Sequence, residues 1–246
     1  MRISIGLAGL GLVAFSAQAQ QAPAPSASVP SRPVGEPANG DWANVERYRA
    51  ANRGLVAKVA PERVVFMGDS ITQAWSDQAF IRDNRDYVGR GISGQTSPQM
   101  LVRFNSDVIA LKPAIVHIMA GTNDVAQNNG PETPDEIFGY ITSMVELARA
   151  SKIKVLLASI PPAKDFPWRR GLDPMPQIRA LNDRLKAYAA RRGIAYVDYW
   201  KVLATPDGAM KPDYSTDGVH PNAAGYEAMR PLAETAIKQA LKQKQS

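Results

Sequence analysis

The sequence predicts an α/β domain of three layers, a five-stranded parallel sheet with helices on both faces. Three observations predict it: short apolar runs without polar alternation, helix-length segments between them, and glycine-bounded turns at their ends. A strand that reads as a continuous apolar run is buried on both faces, which requires a sheet covered twice.

The elements follow in order. Trp42 to Val59 has helical spacing, with Asp41 placed to cap it. Arg63 to Met67 is a β-branched run and the first strand. Asp86 to Val88 leads as a second strand into a glycine turn. Ser97-Pro98 opens a helix to about Leu111, since proline suits the first helical turn. Ala114 to Met119 is the third strand, Pro134 to Ser151 a helix and Lys154 to Ser159 the fourth strand. Pro174 to Arg192 is a helix closed by Gly193, Ile194 to Val197 is the fifth strand, and a last helix follows Pro221. The chain shows no internal repeat and no second core.

The 246 residues are 45% hydrophobic and 21% charged, too apolar for disorder, yet no apolar run reaches the roughly 20 residues of a spanning helix, so stable membrane insertion is not expected. With no cysteine, disulfides, thiolate metal sites and a cysteine nucleophile are excluded. Arg2, the apolar stretch Ile3 to Phe15 and the small-x-small Ala17-Gln18-Ala19 read as a signal peptide over residues 1–19, implying export to a periplasmic or extracellular space; a retained apolar anchor is the alternative. Residues 20–40, rich in Pro, Ala and Ser, read as an extended linker, leaving residues 41–246 as the folded domain. The net charge of +6 falls by one if Arg2 is removed. Its basic residues are scattered rather than gathered with aromatics into a stripe, so nucleic acid is not an expected partner.

Right-handed crossovers bring the loops that leave the strands to one edge, where ligands bind. Strand one ends in Gly68-Asp69-Ser70, strand two in Gly91-Ile92-Ser93-Gly94, strand three in Gly121-Thr122-Asn123-Asp124, and Asp217-Gly218-Val219-His220 precedes the last helix. Ester hydrolysis needs such parts. A serine is a poor nucleophile until an imidazole takes its proton, and the imidazole needs a carboxylate to hold its tautomer. Ser70, His220 and Asp217 supply these groups, and the three-residue step from Asp217 to His220 lets one turn join carboxylate to Nδ1. The Ser70 and Gly94 backbone N–H groups and the Asn123 amide are suitable donors for the carbonyl oxygen as it gains charge.

In that order and on those loops, Ser70 in GDS, Gly94 in GISGQTS, Asn123 in GTND and His220 in DGVHPN resemble the four blocks of the SGNH hydrolases, the GDSL-like lipase/acylhydrolase family. The resemblance covers Val64 to the final helix. It implies a flavodoxin-like sheet and hydrolysis of esters, thioesters or O-acetyl groups with no cofactor or metal. It also implies Ser70 as nucleophile, His220 as base, Asp217 as its orienter, and Gly94 and Asn123 completing the oxyanion hole with Ser70. The first block reads GDSIT rather than GDSL, which leaves Ser70 in place.

Other readings fall away. Gly89 to Gly94 fits G-x-G-x-x-G, but it follows the second strand and has no acidic residue at a strand end about 20 positions on. G-x-S-x-G, H-E-x-x-H and the phosphate-binding G-K-[ST] are absent. His117, inside an apolar run, reads as a core residue, and Asp69 as structural.

For the substrate, the loop Pro161 to Pro176 carries Phe166, Trp168, Arg169 and Arg170, aromatic faces beside donors that suit a sugar ring or a carboxylate; Trp168 packing the loop down is the competing reading. Trp75 lines an acyl pocket or fills the core, and Gln127 to Thr133 forms an opposite wall. No long apolar lid follows, which favours a short acyl group, such as the acetate of an O-acetylated carbohydrate. A lysophospholipase, arylesterase or thioesterase is the alternative, as is a non-catalytic glycan- or lipid-binding module. The oligomeric state is open.

Overall fold

The computed structural model describes residues 40–58 and 60–243. The expected leader at 1–19 lies outside the described residues, as does the 20–40 linker except for Gly40.

One sheet holds β1 (Val64–Gly68), β2 (Tyr87–Gly91), β3 (Ile115–Met119), β4 (Lys154–Ala158) and β5 (Ala195–Val197), all parallel, in the order β2-β1-β3-β4-β5. The helices among the described residues are α1 (Arg49–Val56), α2 (Ser70–Ser76), α3 (Ala79–Arg82), α4 (Ser97–Asp107), α5 (Thr122–Val125), α6 (Pro134–Ala150), α7 (Pro174–Arg192), α8 (Trp200–Leu203) and α9 (Ala223–Lys242).

All five residues of β1 and of β3 are buried, so alternate side chains feed two cores. Val65, Met67, Val116, Ile118 and Leu157 pack against α4, α6 and α7. Val64, Phe66, Ile115, Leu156 and Ala158 pack against α2, α8 and α9. Burying each large side chain contributes roughly 1.5–3 kcal/mol, and two such faces are what makes the expected three-layer α/β/α domain.

The details depart from the sequence reading in three places. The first helix is tighter at its start. The Asp41 carboxylate accepts the Val45 and Glu46 N–H groups at 2.9 Å each, a 3₁₀ turn spans Val45–Tyr48, and α1 follows only from Arg49. The helix expected to reach Leu111 ends at Asp107 and is followed by a separate 3₁₀ turn, Ile109–Leu111. The glycines after Val88 form no turn but continue β2, because α2 crosses the strand too closely for a side chain: a Cβ on Gly91 would lie 2.1 Å from the Gln73 nitrogen.

The strand order places the site. Winding goes one way from β1 to β2 and the other from β3 to β5, so the loops leaving β1 and β3 diverge and open a crevice at their C-terminal ends.

Candidate active site

Ser70 owes its position and its free hydroxyl to its neighbour. Asp69 is the N-cap of α2, its Oδ1 accepting the Ile71 N–H at 2.9 Å, so Ser70 becomes the first helical residue and does not cap. Burial pushes the Asp69 carboxyl up to about 6, against the pull of the Ile71 N–H and of His220. The Ser70 N–H, at the start of α2, has no partner among the described residues, and its Oγ lies 2.9 Å from His220 Nε2.

His220 sits just before α9, which Asn222 caps by accepting the Gly225 N–H at 3.0 Å. The loop in front of it is a turn built around one carboxylate. Asp217 Oδ1 accepts the Val219 and His220 N–H groups at 2.9 and 2.8 Å and the Ser215 hydroxyl at 3.1 Å, while Oδ2 lies 2.7 Å from His220 Nδ1. Partial burial raises the Asp217 carboxyl, but the His220 ring and the two N–H groups outweigh it and bring it down to about 2. The Tyr226 hydroxyl donates to the Ile71 carbonyl at 2.8 Å, tying α9 to α2 and so the imidazole to the serine.

The other two expected donors lie on the loops that leave β2 and β3. Gly94 has φ +78°, and among the described residues nothing beyond its chain neighbours lies within 4 Å of where its Cβ would be, so a side chain there would be strained and would stand in open space. Asn123, 3% exposed at the start of α5, donates from Nδ2 to the Gln95 carbonyl at 3.0 Å. Gln95 is itself held by buried Arg103, whose Nε donates to it at 2.6 Å and whose other nitrogens reach Asp107 and the Gly68 carbonyl at 3.0 Å each. The backbone leaving β1 and the side chain of the residue whose carbonyl meets Asn123 thus hang on one guanidinium.

The residues expected at the substrate divide. Trp75 is fully buried, its ring 5.8 Å from that of Tyr226 and nearly parallel to it, so it fills the core under α2 and lines no acyl pocket. Phe166 is also fully buried and supports Trp168, with ring centroids 5.1 Å apart; it is not available to a ligand. Trp168 is 43% exposed, 5.8 Å from the His220 ring, and its Nε1 donates to Asn128 Oδ1 at 3.0 Å. Arg169 is exposed and donates to the Gln127 carbonyl at 3.1 Å, bracing the two loops together. Arg170 is exposed, and among the described residues it makes no hydrogen bond or ion pair. His117 lies in the core as expected, its Nε2 2.9 Å from the Tyr199 hydroxyl and Nδ1 without a partner among the described residues; burial brings it down to about 3, so it is neutral.

The sequence gives no sign that two carboxyls meet behind Asn123. Asp124 Oδ1 accepts both the N–H (2.9 Å) and the hydroxyl of Ser97, while its Oδ2 and Glu132 Oε2 are buried, lack any other donor among the described residues and face each other. Burial, followed by Asp124, lifts Glu132 to about 7, and burial lifts Asp124 as well, so the pair holds a proton. The folded state keeps that proton at a pH where the unfolded chain has released it. Stability therefore falls as pH rises from the ordinary glutamate range of about 4.5 through about 7. Glu132→Gln supplies a permanent N–H and should raise Tm at pH 8 by roughly 2–4 °C, a modest value because Glu132 is half-exposed, with the difference shrinking at pH 5. Thermal melts across that range check it, and a pH-independent difference would refute the shared proton.

Known proteins share this architecture. The pattern that defines the GDSL-like Lipase/Acylhydrolase family matches residues 66–228. The crystal structure of a GDSL-like lipase from Bacteroides thetaiotaomicron superposes with a TM-score of 0.77 at 48% identity, covering 80% of this chain and 98% of that one. Esterase TesA of Pseudomonas aeruginosa is 28% identical over 183 residues, 69% of this chain and 85% of TesA. The uncharacterized lipoprotein YqeF of Bacillus subtilis is 29% identical over 150 residues, 54% of this chain and 62% of YqeF, so the match spans less than two thirds of that relative.

Proposed function

The chain belongs to the GDSL-like lipase/acylhydrolase family, and we propose that it hydrolyses carboxylic esters through an acyl-Ser70 intermediate. The observation that carries this reading is the continuous line from Ser70 Oγ to His220 Nε2 at 2.9 Å and from His220 Nδ1 to Asp217 Oδ2 at 2.7 Å. In the forward step Ser70 Oγ bonds to the ester carbonyl carbon and its proton passes to His220 Nε2, with Asp217 stabilising the imidazolium. The carbonyl oxygen takes the negative charge and accepts hydrogen bonds from the Ser70 and Gly94 N–H groups and the Asn123 amide. Collapse breaks the carbon–oxygen bond to the alcohol, which leaves with the His220 proton. Water, deprotonated by His220, then attacks the acyl carbon and releases acid and free serine.

The preferred substrate is a short acyl ester, such as an O-acetyl group on a carbohydrate. Two observations support it. Trp75 and Phe166 are closed off in the interior, and the exposed aromatic face beside His220 is Trp168, a platform suited to a sugar ring. The protein is exported on this reading, as its N-terminal sequence and its similarity to a lipoprotein both favour.

The test is hydrolysis of p-nitrophenyl acetate, butyrate and laurate and of an O-acetylated oligosaccharide, with and without chelator, followed by titration with an alkyl phosphonate. The expected result is chelator-resistant release, fastest for acetate, that falls to zero as one phosphonate attaches to the Ser70 peptide. Activity surviving full labelling would overturn the serine, a preference for laurate would overturn the acetyl assignment, and no release from any ester would leave a binding module.

A further inference from the structure

The oxyanion donor Asn123 is an amide, and a primary amide turned over presents an acceptor where a donor is needed. What holds it the right way round is a relay of two hydrogen bonds that starts at Trp168. Indole Nε1–H donates only, so the oxygen it meets at 3.0 Å is Asn128 Oδ1. The Asn128 NH₂ must then point the other way. It donates to Asn123 Oδ1 at 2.8 Å and leans on the Gly94 carbonyl at 3.4 Å. With its oxygen engaged, Asn123 has only its NH₂ left to turn towards Gln95, whose carbonyl, an acceptor only, takes one hydrogen at 3.0 Å. The second hydrogen has no partner among the described residues. A donor-only group at one end and acceptor-only carbonyls at the other fix the polarity of both amides.

We propose that Asn128 and Trp168 are positioning residues for ester hydrolysis, locking the Asn123 amide with its N–H towards the substrate oxyanion. This rests on the oxyanion role given to Asn123 above. It also gives Trp168 a task apart from any contact with substrate.

The relay makes an unusual demand on mutants. Asn123→Ala, which deletes the donor, should lower kcat by on the order of 10²–10³. In Asn128→Asp one carboxylate oxygen still accepts from Trp168, but the other faces Asn123 Oδ1. The amide is then caught between two acceptors, the new carboxylate and the Gln95 carbonyl, and turning its NH₂ to the charged one sets its own oxygen towards the oxyanion. Asn128→Asp should therefore cost at least as much kcat as Asn123→Ala, with KM within about twofold, and the same change in the Asn123→Ala background should cost less than threefold. Trp168→Phe keeps a ring beside His220 and removes only the N–H, and should lower kcat roughly three- to tenfold.

These variants, with Trp168→Phe made in the Asn123→Ala background as well, are assayed on p-nitrophenyl acetate beside Ser70→Ala. If Asn128→Asp keeps parental kcat, or costs the same factor with and without Asn123, the relay is wrong. Should Asn128→Asp fail to fold, Trp168→Phe decides, since its side chain is at the surface: parental kcat overturns the relay, and the stated loss that vanishes in the Asn123→Ala background supports it. A parent enzyme insensitive to Ser70→Ala would instead remove the underlying reaction, a result the relay variants do not mimic.

Discussion

Ser70→Ala is expected to lower kcat for p-nitrophenyl acetate by roughly 10⁵–10⁶-fold, leaving KM and Tm close to those of the parent. The size follows from what the hydroxyl does in the proposed cycle: without Oγ there is no bond to the acyl carbon, and His220 and the oxyanion donors are left to assist water alone. The selectivity follows from what the hydroxyl does not do. Asp69, not Ser70, caps α2, and among the described residues the one side-chain bond Ser70 makes is to His220, so its removal leaves the helix start intact. Steady-state kinetics on protein passed over a fresh column, with a parallel thermal melt, measure both. Loss of less than tenfold would mean that another group attacks the ester.

The cores are legible in the sequence because β1 and β3 are apolar throughout except at His117, and no other packing hides both faces of such runs. The Asp217–His220 pairing is legible for a different reason: the contact closes within one turn and needs no knowledge of the rest of the chain. Where contacts depend on distant packing, reading fails. Gly89 and Gly91 look like turn signals, and only the proximity of α2 makes them strand residues. Trp75 stands four positions after buried Ile71, and helical spacing alone sets both on the inward face of α2, which rules out the acyl pocket.

Asn128 is harder. It meets Asn123 because Gln127 adopts φ +55° and turns the chain back, so that the Asn128 N–H reaches the Asn123 carbonyl at 3.0 Å. Glutamine carries no signal for that conformation, which glycine or asparagine would have announced. The Asp124–Glu132 contact is likewise set by how the 127–133 loop returns over α5, not by residue type.

Asp217→Asn should lower kcat by on the order of 10⁴ while the protein still folds. The turn itself dictates which way the new amide faces. Three donors, the Val219 and His220 N–H groups and the Ser215 hydroxyl, converge on Oδ1, so in the variant the amide oxygen must stay there to satisfy them. The NH₂ is then forced against His220 Nδ1, which can only accept. An imidazole that accepts at Nδ1 carries its proton on Nε2, the atom 2.9 Å from Ser70 Oγ, and cannot take the serine proton. The loss thus comes from a wrong tautomer in an unchanged framework. KM should stay within about twofold, and Tm near neutral pH should fall by no more than a few degrees, since Asp217 is partly exposed and its lowered pKa yields only screened stabilisation. Because its carboxyl lies at about 2, that contribution is present above the ordinary aspartate range and fades only as pH falls towards 2, so the Tm gap between parent and variant should close on strong acidification. A variant that keeps kcat within tenfold would remove Asp217 from the catalytic line, and one that melts far below the parent at pH 7 would make it a structural residue of the 215–221 turn.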